Sequence, residues 1–185
     1  MSEESKSVDL VELANWALAG IVVAVVAGYL YRYASPSSAA RMIGKKAPSF
    51  SMATVDGDER VGPSDYRGQV VVMDFWATWC PPCHEQAGEL REMMADEEVA
   101  SRTKLLLVNT DEPSGGRRQK VRRYLSRRKL DYTTVLDDGT VMRKYGVDSF
   151  PTLVVVAPDG EISFAEPGVH SAGELKRLVA RAADQ

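Results

Sequence analysis

Cys80 and Cys83 are the only cysteines in this 185-residue chain, and they sit together in "FWATWCPPCHEQ". A thiol pair at that spacing can hold half of a zinc site, close a small structural bridge, or exchange disulfides with another molecule. Zinc is short of ligands, because His84 and His170 are the only histidines. The neighbouring residues favour exchange. "VVVMDFW" ahead of the pair is a β-branched and aromatic run, the signature of a strand buried on both faces. Behind the pair, Leu90, Met93 and Met94 recur at helical spacing in "HEQAGELREMMADEE", so a helix opens at the cysteines. Cys80 then lies where helix N–H groups and the helix dipole stabilise a thiolate, which makes it the nucleophile. Cys83, one turn inward, is placed to resolve a mixed disulfide. Asp74, inside the apolar run, should be hard to ionise and able to act as a base, unless it only makes a local hydrogen bond.

The rest of the sequence must position these residues. "KLLLVN" at 104 to 109 and "YTTVLD" at 132 to 137 read as further strands, with a helix at "QKVRRYLSRRK" between them. "GTVMRKYGV" reads as a short helix ending at Gly146, "TLVVVA" and "EISFAE" as a hairpin around "PDG", and "AGELKRLVARA" as a closing helix. The segment from Ile43 to Gln69 reads as a small hairpin or irregular stretch. Strands alternating with helices imply an α/β fold with a mixed, mainly parallel central sheet flanked by helices and an antiparallel hairpin at one edge. A net charge of −3 argues neither for a nucleic-acid binder nor for an acidic tail, and no fold signature of a nucleic-acid module is present.

Leu13 to Tyr31 carries no charge and is long enough to cross a membrane as a helix. The expected organisation is a tail over 1–12, a transmembrane anchor over 13–33, a linker over 34–42 and a folded domain over 43–185. Trp16, Tyr29, Tyr31 and Tyr33 fit interfacial aromatic belts and Arg32 can snorkel. The acidic flank before the helix argues for an uncleaved anchor over a secretory signal. Lys6 stands alone before it, whereas Arg32, Arg41, Lys45 and Lys46 follow, a count that favours a cytoplasmic domain. Gly20, Ala24 and Gly28 share one helix face and permit close pairing, so a monomer or weak dimer is expected.

"DFWATWCPPC", with "GKKAPSF", "LLLVNTDE" and "SFPTLVVVAPDG", resembles thioredoxin and, over residues 43 to 180, the TlpA-like or ResA-like membrane-tethered thioredoxins. That resemblance implies a thioredoxin-like fold and a thiol-disulfide oxidoreductase. It also implies reduction of disulfides in exported proteins such as apocytochrome c, electrons from a membrane thiol reductase, a periplasmic domain, and no cofactor beyond the Cys80–Cys83 redox couple. The helix and strand between residues 113 and 136 resemble that family's insertion. By the same resemblance Asp74 relays a proton to the inner cysteine, and Glu112, with Asp111 as rival, stands near the pair. Pro151 is the cis proline that exposes the preceding backbone at Phe150, and Trp79, Pro81 and Pro82 border the substrate.

Two features depart from thioredoxin. Leu107 replaces the lysine that pairs with the buried aspartate, and Pro81 and Pro82 withhold two N–H donors from Cys80. His84 reads as a solvated first-turn residue and His170 as structural. The eight basic residues of "RRQKVRRYLSRRK" read as a solvated helix face, with lipid headgroups or an acidic partner as the alternatives. A peroxiredoxin-like peroxidase shares the "APSF" opening, but it would set a threonine three residues before its cysteine, and Thr78 is two before Cys80. A tethered copper-binding adaptor would hold a soft metal between the two thiols, with His84 as the nearest further ligand.

Overall fold

The structure, a computed structural model, describes residues 10–57 and 59–185. The chain divides after Pro36 into two units. The first contains helix α1, Leu10–Ala34. Its Glu12–Tyr31 stretch is apolar and exposed, and at about 1.5 Å per residue it matches the ~30 Å hydrocarbon thickness. Trp16, Tyr29 and Tyr31 are exposed. Lys6 and the tail before Leu10 lie outside the described residues, as do the side chains of Arg32 and Tyr33.

The second unit, Ser37–Gln185, contains both hydrophobic clusters. It begins earlier than the expected boundary at 43, because Ala39 is 2% exposed and packs into the core. Gly146 makes room for that approach. At its φ of +67°, a Cβ would stand 2.6 Å from the Ser38 carbonyl oxygen.

Strands β1 (Met52–Ala53) and β2 (Arg60–Val61) form a short antiparallel hairpin. Then β3 (Val70–Trp76), entirely buried, leads into α2 (Pro81–Met94) and α3 (Glu97–Arg102). The sequence reads α2 and α3 as one helix. The break comes at Asp96, whose carboxylate caps α3 by accepting from the Glu98 and Val99 amides. After them come β4 (Thr103–Asn109), α4 (Arg117–Arg128), β5 (Thr133–Leu136) and α5 (Thr140–Lys144). The chain closes with β6 (Thr152–Val156), β7 (Ile162–Pro167) and α6 (Ala172–Ala183).

The five-stranded sheet runs β5-β4-β3-β6-β7, with β3, β4 and β5 parallel and β6 and β7 antiparallel. The crossovers β3 to β4 and β4 to β5 step the same way along the sheet, so crossovers of one hand put their helices on one face. There Leu90 and Met93 of α2, Val121 and Leu125 of α4, and Leu175 and Leu178 of α6 pack on Val70, Val72 and Trp76. Val71, Met73 and Phe75 point the other way and meet Val141 of α5 and Tyr145.

Candidate active site

Cys80 is the N-cap of α2, and Pro81 and Pro82 are its first two helical residues. Proline suits those positions, since their N–H groups would have no helical acceptor. The donor the prolines withhold is supplied one residue later, where the Cys83 amide donates to Cys80 Sγ at 3.3 Å. Cys80 and Cys83 are disulfide-bonded to each other, with Cα atoms 5.3 Å apart, and both are buried.

Beneath them, Asp74 sits mid-strand between Leu107 of β4 and Leu153 of β6, as the departure from thioredoxin implied. Strand alternation puts it on the face of Val72 and Trp76, where both cysteines also pack. Asp74 is 2% exposed and its Oδ1 has no hydrogen-bond partner among the described residues. Burial alone pushes its carboxyl up to about 7. Tyr124 of α4 closes this region, with its ring 4.7 Å from that of Trp76 and 5.3 Å from that of His84. Burial raises the Tyr124 phenol, the Arg128 guanidinium opposes that, and the charge of Asp74 adds to it.

A second carboxylate lies beside the motif, and it is Asp111. It is 3% exposed, accepts from the Thr78 amide at 2.9 Å and the Thr78 hydroxyl at 2.6 Å, and pairs with Lys120 at 3.4 Å. Arg117, the first residue of α4, is also buried and donates through Nε to Asn109 Oδ1 at 3.2 Å. The Asp111 amide donates to the same oxygen at 3.3 Å. The end of β4 is thereby tied to the loop that carries Cys80. Glu112 is exposed and shares an open groove with Trp79 and Lys120, so the carboxylate bonded to the motif loop is its rival. The buried Arg117 also departs from the expected solvated face. So does Arg118, which donates to the carbonyls of Thr54, Val55 and Gly57 at 2.8 to 3.1 Å.

On the other side, the Phe150–Pro151 peptide is cis. Pro151 is buried, Phe150 half-buried, and the Phe150 ring lies edge-on to the exposed Trp79 at 6.0 Å. The Gly168 amide donates to the Pro151 carbonyl at 2.9 Å. Two residues on, the His170 amide donates to Gln86 Oε1 of α2 at 2.7 Å. Gln86 was not singled out in the sequence, though it is fully buried and joins the proline side to the cysteine helix. Pro81 and Pro82 are exposed. His84 is half-buried rather than solvated, and its Nε2 donates to the Thr78 carbonyl at 3.3 Å.

A disulfide on the first turn of a helix, a buried carboxylic acid behind it and an exposed aromatic and proline rim can pass electrons as thiol pairs and protons through a carboxyl. Fold and site define a thiol-disulfide oxidoreductase of the thioredoxin type. Residues 43–165 match the AhpC/TSA family, and the chain belongs to that family. It is 28% identical to the thioredoxin-like protein YneN of Bacillus subtilis, over 89% of this chain and 96% of that protein. The thiol-disulfide oxidoreductase ResA of Halalkalibacterium halodurans is 29% identical over 85% of each chain. The crystal structure of StoA from Bacillus subtilis matches at a TM-score of 0.60 and 30% identity, covering 71% of this chain and 96% of its own. The resemblance to the TlpA-like and ResA-like proteins, and the thioredoxin-like fold it implied, are therefore findings.

Proposed function

We propose that this protein is a membrane-anchored reductant of protein disulfides, working on the outer side of the cytoplasmic membrane. The observation that carries it is the Cys80–Cys83 disulfide on the first turn of α2, with the buried Asp74, whose Oδ1 has no partner among the described residues, on the same face of the sheet. In the reduced protein the Cys80 thiolate attacks one sulfur of a substrate disulfide and expels the other as a thiolate. The Cys83 thiolate then attacks Cys80 Sγ, which closes the Cys80–Cys83 bond and releases the reduced substrate. Asp74 takes the proton that leaves Cys83 and returns it when a membrane thiol reductase restores the dithiol. Trp79, Pro81, Pro82, Phe150 and Pro151 border the substrate, whose backbone pairs with the chain before Pro151. No bound cofactor is needed.

The placement outside the membrane and a substrate such as apocytochrome c rest on the likeness to ResA-like proteins. The Lys and Arg count around α1 points to the opposite side. The helix α1 is read as an uncleaved anchor.

The test is the reduction potential of the full chain in detergent, equilibrated against thiol buffers of known potential. A value near thioredoxin's, about −270 mV, is expected. One above about −180 mV would make the protein an oxidant or isomerase and overturn the proposal.

A further inference from the structure

The thirteen residues from Arg117 to Lys129 hold eight cations and no carboxylate, in a chain whose net charge is −3. Two of the cations, Arg117 and Arg118, are used up inside the fold by the bonds described above. Lys120, Arg123 and Arg127 fall at i, i+3 and i+7 on one exposed side of α4, with Tyr124 and Arg128 between and beside them. Lys120 has the exposed half of an ion pair to Asp111. Arg128 lies over the Tyr124 ring at 5.6 Å. Arg123 and Arg127 have no hydrogen bond or ion pair among the described residues. A helix face held together by its own charges would show acidic neighbours; among the described residues α4 has an ion pair from Lys120 to Asp111 and one from Arg122 to Asp56, and none from Arg123 or Arg127.

The face is also concave, and it adjoins the disulfide loop. A groove of about 320 Å³ runs between these cations and the residues flanking the cysteine motif, Thr78 and His84, with the Tyr124 ring in its wall. Lys120 also lines a second groove of about 370 Å³ that reaches the exposed Trp79. A flat bilayer surface would bridge such channels, whereas an extended peptide is narrow enough in kind to enter them. A segment lying in the first groove would have the α4 cations on one side and Thr78 and His84, which flank the cysteine motif, on the other.

We infer that the basic side of α4 is a docking surface for an acidic, extended segment of the protein whose disulfide is exchanged. This deepens the function proposed above and rests on it. Opposite charge at that distance acts mainly on encounter, so it should appear in the association rate and be screened by salt.

The experiment uses the full chain, reduced and held in detergent, with two synthetic disulfide peptides that differ only in a flanking run of aspartates or of asparagines. The expected result is reduction of the aspartate peptide about tenfold faster at low salt, with the advantage lost in high salt. The double variant Arg123→Glu, Arg127→Glu should abolish or invert that preference. A preference unaltered by the double variant would overturn the docking surface. So would a charge-reversal effect that is equal for both peptides and arises only after reconstitution with anionic lipid, which would mark the face as a lipid contact. A separate titration with the aspartate peptide, its cysteines replaced by serines, reads docking without chemistry. Salt-sensitive binding together with no reduction of either peptide would support the surface and sink the reductant reading; no binding would sink the surface alone.

Discussion

Two buried carboxylates stand beside the same disulfide loop, and they have been treated in opposite ways. Asp111, at the end of β4, has its charge met by the Thr78 amide, the Thr78 hydroxyl and Lys120. Asp74, in the middle of β3, is no more exposed, and its Oδ1 has no hydrogen-bond partner among the described residues. A satisfied buried charge fixes geometry, whereas an unsatisfied one is held at the edge of protonation. The difference gives Asp111 the bonds that hold the Cys80 loop and leaves Asp74 as the carboxyl on which the proposed proton transfer would depend. It follows from position: a loop offers free amides and hydroxyls, and a central strand has its backbone groups committed to both neighbours.

The largest expected effect breaks the comparison from the Asp74 side. An unfolded aspartate titrates near 3.9, and folded Asp74 near 7. Between those values the folded state keeps a proton that the unfolded state has released, so stability falls as pH rises through that window. Above it the loss levels off at roughly 4 kcal/mol. Asp74→Asn has nothing to ionise. Urea unfolding of the variant should match the native protein near pH 4 and exceed it by several kcal/mol, about 2 to 4, above pH 8. The same variant should resolve a mixed disulfide at Cys80 more slowly. Equal stability of the two proteins at pH 8 would mean that burial does not raise the Asp74 carboxyl, and unchanged resolution would remove it from the proton path.

Much of this was legible in the sequence, for local reasons. The continuous apolar run of β3, the helical spacing of Leu90 and Met93, and the junction carrying Cys80 are all signals within one element. So was Asp74, because a carboxylate inside an apolar strand is conspicuous. What was obscure depends on chain segments far apart meeting. Asp111 and Thr78 are 33 residues apart, and Gln86 and His170 are 84 apart. A polar residue gives no sign of which distant amide it will serve. Asp111 did have one legible feature, since it follows the end of a parallel strand beside the strand that delivers Cys80, where reactive groups gather. The split between α2 and α3 was hidden because Ala95 and Asp96 interrupt a stretch otherwise rich in helix formers, and only the capping bonds reveal the stop.

A smaller effect is expected from the Asp111 side. Asp111→Ala leaves the Thr78 amide without its acceptor and should cost about 2 kcal/mol. Asp111→Asn can still accept from the Thr78 amide and donate to its hydroxyl, so it should recover most of that loss. The two aspartate variants would then shift stability in opposite directions at pH 8. If Asp111→Ala were stabilising instead, the contrast between a fixing and a titrating carboxylate would fail.

The smallest effect sharpens the comparison. Lys120 is 57% exposed and its contact with Asp111 is a single ion pair at 3.4 Å. Solvent screens such a pair, and its net contribution is small because the long side chain must also be ordered. Lys120→Met should therefore change stability by no more than about 0.5 kcal/mol in urea unfolding. The Thr78 bonds remain to hold Asp111, so the Cys80 loop keeps its anchor. A loss as large as that of Asp111→Ala would transfer the fixing role from the hydrogen bonds to the ion pair. A near-neutral result would leave the two Thr78 hydrogen bonds as what fixes Asp111.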